Sequence, residues 1–103
     1  MTQQITHRDP AHRATPFDRR VRTCRDAAYR IRHGVLTQGE AQGEGYVGQA
    51  LGAADILSVV YTDALRFDPR HPDWADRDRF LLSVGHYALL LYATLAEVGV
   101  ISP

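Results

Sequence analysis

Residues 72–86 read Pro72-Asp73-Trp74-Ala75-Asp76-Arg77-Asp78-Arg79-Phe80-Leu81-Leu82-Ser83-Val84-Gly85-His86, and their order of residue types sets the fold class. Prolines and alternating charges give way to the apolar run Phe80-Leu81-Leu82, then to a glycine and a histidine. The apolar run predicts one short buried strand over 79–83, and Gly85 leads into a predicted helix over 86–98. The middle of that helix, Ala88 to Ala96, is apolar almost all round apart from Thr94, so burial on more than one side is expected. Gly99 stands where a helix end is commonly capped.

Upstream, Phe67 to Asp78 contains Asp68-Pro69 and His71-Pro72 and reads as a turn-rich link. Before it, Ala54, Leu57, Tyr61 and Leu65 share one face of a helix predicted over 52–65. The stretch from Thr37 to Gly52 carries Gly39, Gly43, Gly45, Gly48 and Gly52 and reads as a loop in which backbone approaches a ligand or takes positive φ. A first helix is predicted over 18–36, with Asp18 as N-cap and Val21, Cys24, Ala28, Ile31 and Val35 at helical spacing. Arg19, Arg22, Arg25, Arg30 and Arg32 fall mostly on its other faces, a solvated or partner-facing side. Residues 1–16 hold almost no large apolar side chains and are expected to be a disordered leader to a partial domain over 17–103.

The chain has 103 residues, 45% hydrophobic and 23% charged, a globular composition with room for one thin core. All twelve basic residues are arginine and balance twelve acids, so net charge offers no argument for nucleic acid or an anionic membrane as partner. The lone cysteine, Cys24, excludes an internal disulfide and reads as a small buried residue. No secretory signal or membrane span is visible, and a cytoplasmic location is expected. His7, His12, His33 and His71 lack metal-ligand spacing. One predicted strand cannot form a sheet, so the chain reads as the opening of an α/β domain whose other strands lie elsewhere.

From about Arg25 onward the sequence resembles the N-terminal, thiamine-diphosphate-binding part of transketolases. The likeness rests on Ala28 to Arg32, on Gly45-Tyr46-Val47-Gly48-Gln49-Ala50-Leu51-Gly52 running on to Leu57, on Leu65 to Pro69, on Pro72 to His86, and on Leu91 to Gly99. It implies an α/β fold, of which this chain would hold three helices and one short strand. It also implies transfer of two-carbon ketol units between sugar phosphates, with thiamine diphosphate as electron sink and a divalent metal, Mg or Ca, bridging to its diphosphate. By the resemblance, His86, following Gly85, lies near that diphosphate. A glycine opening a helix N-terminus supplies backbone donors for an anion, although His86 could instead simply cap its helix.

One position departs from the family pattern. Most members carry Gly-His-x-Gly, whose histidine contacts substrate, whereas this chain has Gly45-Tyr46-Val47-Gly48. A phenol, with a reference pKa of about 10, is a poorer base near neutrality than imidazole at about 6.5. Tyr46 therefore stands either as a catalytic group of a divergent branch or as a residue packing the loop. The family's metal-binding Gly-Asp-Gly segment and its cofactor-activating glutamate have no counterpart before Pro103. The resemblance thus implies a truncated or split enzyme, inactive alone, that works in a homo- or hetero-oligomer with the remaining N-terminal and C-terminal parts. The competing expectations are a non-catalytic interaction module left over from the fold and a related thiamine-diphosphate enzyme with another substrate.

Overall fold

The computed structural model describes residues 15–43 and 45–102, and within them three helices pack around one small core. Helix α1 spans Pro16–Gln42, α2 spans Val47–Val59, and α3 spans Ala88–Glu97. A π-helical turn, Val60–Ala64, extends α2, and a 3₁₀ turn, Gly85–Tyr87, precedes α3. Residues 1–14, most of the expected leader, lie outside the described residues; Thr15 and Pro16 do not belong to a leader.

Those two residues start α1. Thr15 is the N-cap: its Oγ1 accepts from the Asp18 N–H at 3.0 Å, and Asp18 Oδ2 accepts from the Thr15 N–H at 3.1 Å. Asp18, expected at the cap, instead closes this reciprocal box from inside the first turn. Pro16 fits the first helical position because its missing N–H would have had no partner there. At the other end α1 continues through Gly34 and Gly39 to Gln42, six residues beyond the expected end at 36, and Gly43 caps it at φ 75°. The loop expected from Thr37 to Gly52 is therefore mostly helical.

The core is Ile31 and Val35 from α1, Ala50, Ala54 and Leu57 from α2, and Leu89, Leu90 and Ala93 from α3. Its small residues let the helices approach closely, and its thinness agrees with the chain length. Two buried hydroxyls are satisfied locally: Ser58 donates to the Cys24 carbonyl, and Thr94 donates to the Leu90 carbonyl at 2.8 Å. Thr94, the polar exception in the apolar helix, is thus fully buried, while Tyr92 is 52% exposed. All residues of Ala88–Glu97 except Tyr92 are buried or half-buried, so α3 is covered on more than one side. Cys24 is only half-buried, its Sγ 3.3 Å from Thr62 Oγ1.

The α1 arginines are less free than their helical positions suggest. Arg20 forms a two-pronged pair with Asp63 at 2.7 and 2.9 Å, and Arg32 forms one with Asp55 while reaching the Leu51 carbonyl. Arg30 pairs with Glu97 of α3. Each guanidinium holds its carboxylate partner in register between helices, which orients α2 and α3 on α1 more than it stabilises them.

The strand expected over 79–83 is not formed: the described residues contain no strand. Phe80 packs edge-on against Tyr61, with ring centroids 5.7 Å apart, whereas Leu81 is 89% exposed. The alternation of sides is strand-like, but among the described residues the neighbouring elements are helices, which cannot supply a ladder. The preceding link is turn-rich, as expected, and is fastened at its two ends. The Arg66 N–H donates to Asp78 Oδ2 and the Asp78 N–H donates to the Arg66 carbonyl, each at 2.8 Å.

Candidate functional site

Two sequence segments separated by about forty residues meet at one end of the helical core. Helix α2 opens beside the first turn of α3 because Leu89, 8% exposed, fills the space between them. A Cβ placed on Gly45, which has φ 145°, would lie 3.4 Å from Leu89 Cδ2. A Cβ on Gly39 of α1 would lie only 2.9 Å from Val47 Cγ2 and 3.9 Å from Leu89 Cδ2. The backbone on either side of Tyr46 thus needs glycine twice, at Gly45 for its positive φ and at Gly39 for the space that Val47 fills.

Tyr46 occupies the N-cap position of α2 with φ −89° and ψ 67°, and its side chain makes no capping hydrogen bond. The ring turns outward, 56% exposed, and meets the His86 ring at a centroid distance of 4.5 Å and an interplanar angle of 56°. His86 lies in the 3₁₀ turn Gly85–Tyr87, where neither this turn nor α3 has a side-chain cap. The cap reading of His86 thus finds no hydrogen bond to support it. The helix it precedes begins at Ala88 rather than at 86, because the Tyr87 N–H bonds back to the Val84 carbonyl at 3.0 Å. Gly85 faces open space: a Cβ there would meet nothing within 4 Å.

The donors at this place are an exposed imidazole and the backbone N–H groups of Gly85 and His86, beside a glycine that leaves room for close approach, while the Tyr87 and Ala88 N–H groups are bonded to the Val84 and Gly85 carbonyls. That set suits a phosphate group. A divalent cation is another matter: no group of three or more His, Cys, Asp or Glu side chains that could hold one occurs among the described residues. The three residues read from the sequence as site residues, Tyr46, Gly85 and His86, are therefore brought to one surface. What sequence reasoning missed is that Tyr46 and His86 touch. It also missed the two supports, Gly39 and Leu89, which read simply as a loop glycine and a core leucine. A separate cleft of about 380 Å³, lined by Asp68, His71, Asp73 and Trp74, includes neither ring.

Residues 24–101 match the family model described as the transketolase, thiamine diphosphate binding domain. Among curated proteins, the chain is 54% identical over 76 residues to the transketolase family protein y4mO of Sinorhizobium fredii, covering 74% of this chain and 27% of that protein. It is 47% identical over 60 residues to the transketolase of Rhodobacter capsulatus, covering 58% of this chain and 9% of that one. With transketolase 1 of Escherichia coli the identity is 47% over 55 residues, 53% of this chain and 8% of the enzyme. The chain thus spans about a quarter or less of the length of these relatives.

Proposed function

The chain belongs to the transketolase family through its thiamine-diphosphate-binding domain, and from that premise we propose that it is the N-terminal part of a transketolase-type transferase. In this reading it carries a share of the cofactor site and is inactive until joined by the rest of the fold. The observation that carries the reading is the meeting of the 45–48 and 85–86 segments, which sets Tyr46 on His86 beside the open backbone of Gly85.

Thiamine diphosphate, when bound, supplies the electron sink for moving a two-carbon ketol unit between sugar phosphates. The part of this chain is narrower. The His86 side chain and the Gly85 and His86 N–H groups would hold the diphosphate end, and the Tyr46 hydroxyl would face substrate as hydrogen-bond donor in place of an imidazole. Metal ligands, the divalent metal (Mg or Ca) and the activating carboxylate come from companion parts or subunits in a cytoplasmic oligomer. A second reading, a remnant of the fold that serves only as an interaction module, draws on Tyr46 standing where most members have histidine.

Adding the companion part to the full chain and titrating thiamine diphosphate by calorimetry decides between them. Saturable binding that weakens by roughly 1–3 kcal/mol in His86→Ala is expected, the scale of a charge-assisted hydrogen bond. Tyr46→Phe is expected to lower turnover while leaving cofactor affinity alone. No binding in the presence of the companion favours the remnant, and unchanged affinity in His86→Ala removes that residue from the site.

A further inference from the structure

Neither ring of the Tyr46–His86 pair is buried, so their contact adds little to the core; its consequence lies in what it does to the imidazole. An exposed histidine next to a glycine has nothing on the glycine side to restrict its side-chain torsions, and a Cβ at Gly85 would meet nothing within 4 Å. Tyr46 closes the other side at a centroid distance of 4.5 Å. Its chain neighbours are packed, since the Val47 side chain lies in the space Gly39 leaves and the Leu89 side chain lies beside Gly45.

We propose that the Tyr46 ring is a positioning residue that holds His86 in the orientation used to bind the cofactor diphosphate, independently of what its hydroxyl does. This rests on the reading of His86 as a diphosphate ligand. One residue then has two separable parts: the aromatic ring orders a neighbouring donor in advance of binding, and the phenol oxygen is left for substrate. Ordering a donor beforehand removes part of the entropic cost of binding. An aromatic contact of this kind corresponds to roughly a two- to tenfold change in affinity.

The test uses two readouts. In proton NMR of the full chain, the His86 ring resonances are expected to be shifted upfield by the Tyr46 ring, to stay so in Tyr46→Phe, and to return to ordinary positions in Tyr46→Leu. Helical circular dichroism of Tyr46→Leu checks that the fold is kept, and the Tyr46 ring signals in His86→Ala report the same contact from the other side. In the assembled enzyme, Tyr46→Phe is expected to bind thiamine diphosphate like the wild type and Tyr46→Leu roughly two- to tenfold more weakly. In a His86→Ala background Tyr46→Leu should cost nothing further. Unshifted His86 resonances in the wild type overturn the contact. Wild-type affinity in Tyr46→Leu, an equal loss in Tyr46→Phe, or additive losses with His86→Ala overturn the positioning role while leaving the cofactor site standing. Absence of wild-type binding overturns the cofactor site itself, and the positioning role with it.

Discussion

A methyl group on Gly39 would lie 2.9 Å from Val47 Cγ2, closer than side-chain carbons approach one another in folded proteins. Val47 is branched at Cβ and cannot swing its methyl aside without leaving its preferred rotamer, so Gly39→Ala forces α1 and α2 apart at the base of Tyr46. Alanine would gain up to about 1 kcal/mol in helix propensity, but overpacking costs about 1–3 kcal/mol. The expected outcome is a net loss in denaturant unfolding. Gly34→Ala is the internal comparison. Its Cβ would meet Ala93 Cβ at an ordinary 3.5 Å, so the propensity gain should survive and stability should rise or hold. Equal effects at the two positions would refute the pinch point. This residue also shows why the sequence is hard to read here. Glycine at 39 signals a loop by composition, and only the passage of Val47 across α1 reveals that it is a helical glycine kept for space. The pairing of Tyr46 with His86 is hidden for the same reason, since no local pattern links residues forty positions apart until α2 and α3 are docked. By contrast, Tyr46 and His86 are each singled out by the resemblance to the family's two glycine-bearing segments, while local chemistry alone reads Tyr46 equally well as loop packing and His86 as a helix cap.

Among the elements, the link from Arg66 to Asp78 is fastened by carboxylates and should respond to acid. Asp78 sits below the ordinary carboxylate range because it accepts the Arg66 N–H and then the Arg66 guanidinium. Asp68 is held down first by the Arg70 N–H and then by His71. Both groups have a lower pKa folded than unfolded, so their contribution is fully present above the unfolded value of about 3.9 and is lost as pH falls below it through the folded values. Trp74, the one tryptophan of the chain, lies between them, 40% exposed. Its fluorescence is expected to change as pH falls below about 4, with a shallower dependence over that range in Asp78→Asn. A signal that is constant down to about pH 2.5 would show that the carboxylates do not hold the link. The turns of this link were readable from Asp68-Pro69 and His71-Pro72, whose backbone restrictions are local. The neighbouring apolar run was readable as strand-like for the same local reason. A ladder, however, is a property of two segments, and the second is not among the described residues.

For the molecule as a whole, the surface carries apolar groups that three helices do not cover. Leu81 is 89% exposed, Ile56 64%, Tyr92 52% and Val84 48%. Leu81 is the most exposed of these and stands on a segment, Phe80 to Ser83, whose backbone has no ladder partner among the described residues. An unpaired apolar edge invites another chain. Burying one such leucine is worth about 1.5–3 kcal/mol, a large share of what a core of small residues in a chain of this size can supply. Sedimentation of the purified chain is therefore expected to show concentration-dependent association in the absence of its companion. Leu81→Lys should shift it towards monomer, since an ammonium at an edge position resists burial, and adding the companion part should have the same effect by occupying the edge. Leu81→Lys should also weaken capture of the companion, because one segment cannot serve both contacts. If the wild type is a stable monomer at every concentration and Leu81→Lys assembles normally, the exposed run is not where the rest of the fold attaches, and the apolar surface around Leu81 is not an assembly edge.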